Sequence, residues 1–198
     1  MATVSTDIIK RLREETGAGI MEAKRALQDA DGDLERAKKL LEQRGVHSAA
    51  KRAGREAAQG IVEPYVHAGS QIGVLVELDS ETDFVARMPE FKELAHEIAM
   101  QVAATNPRYL SADDIPAEEA EEMKARFREE ALKEGKPEKI VGGIAEGKFK
   151  KYAQTVALLQ MPYIRDDSKT IQQLIQDLAS KTRENIVLRR YARFQVGG

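Results

Sequence analysis

The sequence contains no cysteine. Disulfides, thiolate-ligated zinc and thiol catalysis are therefore excluded, and the composition is compatible with a reducing cytosol. Positive charge is not in excess either: 31 Lys+Arg stand against 33 Asp+Glu, a formal net charge of −2. A general nucleic-acid binder carries a clear basic surplus, so no direct nucleic-acid partner is expected. No apolar run approaches the ~20 residues that span a bilayer. Met1 to Lys10 has no apolar signal core, so neither a membrane partner nor a secretory leader is expected, and a cytoplasmic location is. The three histidines, His47, His67 and His96, are scattered and form no metal spacing, so no metal or cofactor is expected.

What is present is charge of both signs and helical periodicity. Of 198 residues, 42% are apolar and 32% charged, which suits one ordinary core with a small accessory domain and much exposed helix. Residues 1–45 read as three short helices. Ile8, Ile9 and Leu12 form the stripe of the first, with Ser5 or Thr6 as cap, and Thr16-Gly17-Ala18-Gly19 breaks it. Ala23, Leu27 and Ala30 mark the second. Asp33 caps the third, where Leu34, Ala37, Leu40 and Leu41 repeat, and Gly45 is read as its stop. Residues 46–59 read as a helical linker, and 60–198 as the core, expected to dimerise.

In that core, Ile61 to His67 and Ile72 to Leu78 read as a hairpin about the turn Ala68 to Gln71. A strong amphipathic helix follows, with Phe91, Leu94, Ala95, Ile98, Ala99 and Val102 on one face. Ser111 to Lys139 reads as exposed helices broken at Gly135 and Pro137. Lys148 to Leu159 and Thr170 to Lys181 read as further helices, with Asp166 to Ser168 a turn between them. The chain closes on a strand, Ile186 to Val196, with Ile186, Leu188, Ala192 and Phe194 on one face. Strands interrupted by helices, without βαβ alternation, favour the α+β class.

Catalytic motifs are missing. Gly142 to Phe149 has a G-x-x-x-x-G-K core, but Phe149 stands where a phosphate loop needs a hydroxyl for Mg²⁺, and no strand leads into it. It reads as a helix break. Gly17-Ala18-Gly19 reads as a turn, because no strand leads into it either. No G-x-S-x-G signals a serine nucleophile, and the chain is not expected to be an enzyme. The basic residues Lys38, Lys39, Arg44, Lys51, Arg52 and Arg55 read as a solvated helix face, since no aromatics interleave for base stacking.

Two segments resist a purely structural account. Glu81 to Arg87 places the adjacent apolar pair Phe84-Val85 at a connection that belongs on the surface. By pattern alone Phe84 docks into the core while Thr82 or Asp83 caps a helix. The alternative is a projecting apolar wedge with a carboxylate beside it. In the second segment Ile20 and Met21 follow a glycine turn, and only one of two neighbouring helix residues can face a small core well. The other is then available to a partner, or is filler at a loose helix start.

Leu12 to Lys24, followed by Ala26-Leu27, Gly32-Asp33 and Ala37, resembles the N-terminal signature of the elongation factor Ts family. Glu81-Thr82-Asp83-Phe84-Val85-Ala86-Arg87 resembles that family's central signature. Leu158-Leu159-Gln160, Ile164-Arg165-Asp166, Asn185-Ile186-Val187 and Arg189-Arg190 resemble its C-terminal core. The likeness runs in order along nearly the whole chain and is to the short form of the family. It implies an N-terminal three-helix domain like a ubiquitin-associated fold, then an α+β core with a small antiparallel sheet, acting as a homodimer. It further implies binding to elongation factor Tu·GDP and release of GDP. Thr82, Asp83, Phe84 and Val85 map onto the loop that disturbs the partner's Mg²⁺ site, and Arg13, Ile20, Met21 and Lys24 onto its N-terminal contact. Ile20 replaces a commoner Met and stays apolar. Asp79-Ser80 replaces the usual Asn-Cys, and Ala192 stands where some short members carry a cysteine. The rival reading is an adaptor whose three-helix module binds ubiquitin-like partners or RNA.

Overall fold

The computed structural model describes residues 5–16, 18–52 and 54–197. Gly17, part of the first expected turn, lies outside the described residues, as do the side chains of Lys51 and Arg52. The helices are α1 (Thr6–Thr16), α2 (Ile20–Asp29), α3 (Leu34–Arg52), α4 (Asp83–Ala86), α5 (Pro89–Thr105), α6 (Ala117–Lys133), α7 (Glu138–Val156) and α8 (Ile171–Thr182). The strands are β1 (Gln59–Val66), β2 (Ile72–Ser80), β3 (Pro162–Tyr163), β4 (Asp166–Thr170) and β5 (Val187–Gln195). They form a three-stranded sheet in the order β1-β2-β5 and an antiparallel pair β3-β4. The class is α+β. Two compact units result, one of Met1–Ile61, Leu78–Lys92 and Ile175–Leu188, the other of Val62–Glu77, Glu93–Leu174 and Arg189–Gly198.

In the first unit, α1 to α3 form a three-helix module consistent with a ubiquitin-associated-like domain. Leu12, Ala23, Ala26, Leu27, Ala30 and Ala37 are buried together. Four alanines in so small a core let the helix backbones approach closely. The α2–α3 turn closes as a Schellman motif, with Gly32 N–H on Leu27 C=O at 2.8 Å and both Asp31 and Gly32 at positive φ. Asp33 Oδ1 then accepts Arg36 N–H at 2.9 Å and caps α3 as expected. Glu15 takes Lys38 Nζ at 2.6 Å, tying α1 to α3.

Gly45 does not stop α3. The helix runs through it to Arg52, so a mid-helix glycine, which costs about 1 kcal/mol against alanine, is overridden by continuation into the alanine-rich stretch behind it. Gly60 is required for a different reason. A Cβ there would lie 2.4 Å from Leu78 O and 2.8 Å from Asp79 Cα, closer than any side chain tolerates.

In the second unit, the hairpin turn has Gly69 and Ser70 at positive φ, and His67 N–H meets Ile72 C=O at 2.9 Å. Val196 N–H meets Gln71 C=O at 2.9 Å, so the end of β5 lies at the start of β2 and the two run antiparallel. β2 buries Val74, Val76 and Leu78 and turns Leu75 outward. The expected face of α5 is buried in full, from Phe91 to Val102. Gln101, also buried, donates to Pro162 C=O at 3.1 Å and accepts Ile164 N–H at 2.9 Å, which holds the β3-β4 hairpin. Tyr163 hydroxyl bonds Glu97, and burial first, then that carboxylate, pushes the phenol up to about 12. α6 and α7 form an antiparallel helical hairpin about Gly135, tied by Lys124–Glu146 at 3.1 Å and Lys148–Glu130 at 3.2 Å.

Three expectations fail here. Gly142 to Phe149 is no helix break: α7 is continuous through it, and Gly142, Gly143 and Gly147 have open space where a side chain would stand. Asp166 to Ser168 begins a strand, with Asp166 Oδ1 accepting Ser168 N–H at 3.1 Å. On β5 and its entry, Ile186 and Leu188 are buried but Phe194 and Ala192 are exposed. Tyr191 and Arg193 take the inward side instead, Tyr191 hydroxyl donating to Pro107 C=O at 2.8 Å and Arg193 to Ala103 C=O at 3.3 Å.

Candidate functional site

Both segments singled out from the sequence lie in the first unit. β2 ends in Asp79 and Ser80, both buried. Ser80 Oγ donates to Thr82 C=O at 2.9 Å and bends the chain out of the sheet. Thr82 stays extended at φ −124, ψ 154, and its hydroxyl accepts Val85 N–H at 3.4 Å, so it is the N-cap of α4. α4 is a single turn. On one side of it Val85 and Ala86 are buried, and on the other Phe84 is 80% exposed. Core docking of Phe84, which pattern alone favours, is thus overturned. The inner side of this turn is taken by Val85, at 7% exposed, and the small Ala86 beside it, which leaves Phe84 on the outer side. Asp83, the carboxylate beside the ring, pairs with Arg87 at 2.8 Å across the turn.

The loop is braced by residues that sequence reading missed. Glu184 Oε2 accepts Thr82 N–H at 3.0 Å, and Glu184 Oε1 accepts the Thr82 hydroxyl at 2.6 Å. Glu81 Oε1 accepts Asn185 N–H at 2.6 Å, while Asn185 Nδ2 donates to Arg55 C=O at 2.8 Å. The only signal in the sequence was a polar pair, Glu184-Asn185, at the joint between a helix and a strand. Nothing in it pointed to Thr82, 102 positions away.

In the second segment, Gly19 is the N-cap of α2, and Glu22 reaches back to its N–H at 3.3 Å. Ala23, Ala26 and Leu27 face the module's core. Ile20 and Met21 both stand outside, at 57% and 59% exposed, where one of them was expected to turn in. Ala23, Ala26 and Leu27 supply the whole buried face of α2. Lys24 follows at helical spacing from both, is exposed, and makes no ion pair among the described residues. Arg13 Nε donates to Ala18 C=O at 3.3 Å, which sets its guanidinium at the turn leading into Ile20. Arg13, Ile20, Met21 and Lys24 therefore gather at one corner of the module. A Cβ on Gly19 would stand 3.6 Å from Arg183 Nη2, so this corner adjoins the end of α8, where Glu184 follows.

Among the described residues no group of three or more His, Asp or Glu is placed to hold a metal. A network of bonds and charge lies elsewhere, where Glu119 is held below the usual carboxylate range by the hydroxyls of Tyr152 and Tyr109 and by Arg108. What the two clusters offer is apolar side chains presented to solvent beside fixed charges, an arrangement suited to entering another protein.

The chain as a whole is similar to known proteins of one family. The family model described as elongation factor TS matches residues 35–198. Elongation factor Ts of Coprothermobacter proteolyticus is 47% identical over 194 residues, spanning 98% of this chain and 98% of that one. Its counterparts from Heliobacterium modesticaldum and Acetivibrio thermocellus are 48% and 47% identical, each over 98% of this chain and 90% of theirs.

Proposed function

This chain belongs to the elongation factor Ts family, a family of translation elongation factors, and on that premise we propose that it binds elongation factor Tu·GDP and promotes release of the GDP. The observation that carries the reading is Phe84, an aromatic ring held 80% exposed on a braced single turn. A ring in that position costs hydration in the free protein and gains on entering a partner's apolar pocket, by about 1.5–3 kcal/mol.

An exchange factor needs no covalent step. It binds the nucleotide-free partner more tightly than the GDP-bound one, and by linkage GDP is then weakened by the same factor. Each tenfold weakening takes about 1.4 kcal/mol of differential contact. Phe84 acts as the wedge, while Arg13, Ile20, Met21 and Lys24 grip the nucleotide-binding domain. Displacing the partner's Mg²⁺ removes the largest charge that holds the diphosphate. Thr82 and Val85 serve this from inside the chain, as cap and anchor of α4, and Asp83 sits beside the ring. The protein is on this reading a binding factor and not an enzyme, working in the cytoplasm with the translation machinery; recovery in a membrane fraction would count against that.

A homodimer is part of the same reading. Val62, Val66, Leu75, Phe194 and Val196 leave exposed apolar side chains on the hairpin, on β5 and just past its end, which a second copy would cover. Phe194→Asp should then sediment as a monomer where the wild type sediments as a dimer. A monomeric wild type at micromolar concentration removes this part.

The exchange reading is tested by loss of labelled GDP from elongation factor Tu with and without the protein. Acceleration is expected, and an unchanged rate at saturating protein would discard the proposal.

A further inference from the structure

A one-turn helix cannot hold its own direction, because its few backbone hydrogen bonds do not repay the ordering of its residues. The orientation of Phe84 must come from what α4 is fastened to. Two fastenings are Val85 and Ala86, buried on its inner side. The third comes from the far end of the sequence. Glu184 takes both donors of Thr82, one on each carboxylate oxygen. The Thr82 hydroxyl gives its proton to Glu184 and accepts Val85 N–H on a lone pair, so the cap of α4 and the grip of Glu184 meet in one atom.

The brace is reciprocal. Residue 184 holds the backbone of residue 82 by its side chain, and residue 81 holds the backbone of residue 185 by its own. Glu184 itself follows a fixed turn. Arg183 stands at φ 63, a left-handed conformation that side chains adopt at a cost, and it ends α8 with its N–H on Ala179 C=O at 2.9 Å. Glu184 N–H then meets Thr182 Oγ1 at 3.4 Å.

We propose that Glu184 is a positioning residue for nucleotide exchange: by holding both donors of Thr82, its carboxylate aims the ring of Phe84 at the partner. The inference rests on the exchange reading above. It also makes Thr82 a half-buried support of the loop, since both of its donors are used within the chain. Without the clamp Phe84 remains present but is correctly aimed for a smaller share of the time, and the rate of exchange in the complex falls with that share. The grip through Ile20 and Met21 is made elsewhere and is largely kept.

The sequence has no tryptophan, so Phe84→Trp supplies a single reporter on the wedge. Its time-resolved anisotropy in the full chain, alone and combined with Glu184→Ala or Glu184→Gln, reads the motion of the loop with no partner present. In parallel, stimulated GDP release is measured for the two Glu184 variants with Phe84 in place. Both variants should show faster local motion. Glu184→Ala should lower the maximal release rate about tenfold while shifting the half-saturating concentration by less than about threefold. Glu184→Gln keeps one acceptor oxygen at the same size and should fall between Glu184→Ala and wild type; it decides the matter if Glu184→Ala does not fold. Unchanged anisotropy, or faster motion with an unchanged maximal rate, overturns the proposal. A wild type that fails to stimulate release removes the exchange reading and this role with it, whereas an active wild type with indifferent Glu184 variants removes this role alone.

Discussion

Phe84 and the pair Ile20-Met21 are both apolar tips in solvent, but they are supported by different forces. Phe84 stands on four residues of helix whose entry is fixed by directional bonds, from Thr82 to Glu184 and between Glu81 and Asn185. Ile20 and Met21 stand on the first turn of a ten-residue helix whose start is held by one local bond, from the Gly19 N–H to Glu22. Their module rests on two buried leucines, Leu12 and Leu27, and four alanines. Alanine burial contributes little per residue, so that module has little stability in reserve. A wedge has to keep its direction against a resisting pocket, and hydrogen bonds supply direction. A grip has to fit a surface, and a thin apolar core lets it adjust.

The largest effect expected from this contrast is on the module. Leu27→Ala removes about 2–5 kcal/mol, enough to melt α1 to α3 while the sheet and α5 persist. Hydrogen exchange should show protection lost before Arg52 and kept in β2. If protection is instead lost everywhere at once, the two tips share one stability and the contrast fails. Next comes Phe84→Ala, which should slow stimulated GDP release by one to two decades, about 1.5–3 kcal/mol. Its melting temperature should hardly move, since an exposed side chain away from special features contributes within about 0.5 kcal/mol. Met21→Asp should weaken binding by on the order of 1–2 kcal/mol, the cost of pressing a carboxylate into an apolar contact. Helix content should survive, because an acid in the first turn suits the helix dipole. A titration at wild-type affinity would remove Met21 from the grip.

The smallest effect is electrostatic. Glu15 is held below its ordinary 4.5 chiefly by its hydrogen bond from Lys38, then by Arg11. A carboxylate lowered on folding adds stability above its unfolded value and loses it as pH falls through the folded one. The difference between wild type and Glu15→Gln in module stability should therefore be full at neutral pH and close below about pH 4.5. It should also shrink in high salt, because the pair is exposed. A difference that keeps its full neutral-pH size as pH falls well below 4.5 would mean that Glu15 acts by packing.

Much of the fold could be read from periodicity. The face of α5 and the β1-β2 hairpin came out as expected, because both are patterned over many residues. What escaped was governed by distant contacts or by continuation. Gly45 and the glycines of α7 look like stops, yet the helices run through them. Phe194 reads as core by alternation, yet Tyr191 and Arg193 take the inner side through bonds to backbone carbonyls of Pro107 and Ala103. At the candidate site, the segments were legible as unusual, but their orientation was not. Val85 took the buried place that Phe84 was expected to hold, and Glu184 carries no local mark of its bond to Thr82.

The most direct test follows stimulated GDP release from elongation factor Tu against concentration for wild type, Phe84→Ala and Met21→Asp. A wedge and a grip separate in that plot. Phe84→Ala should lower the plateau and leave the half-saturating concentration nearly in place, while Met21→Asp should raise that concentration and leave the plateau. A folded Phe84→Ala protein that reaches the wild-type plateau would contradict the account.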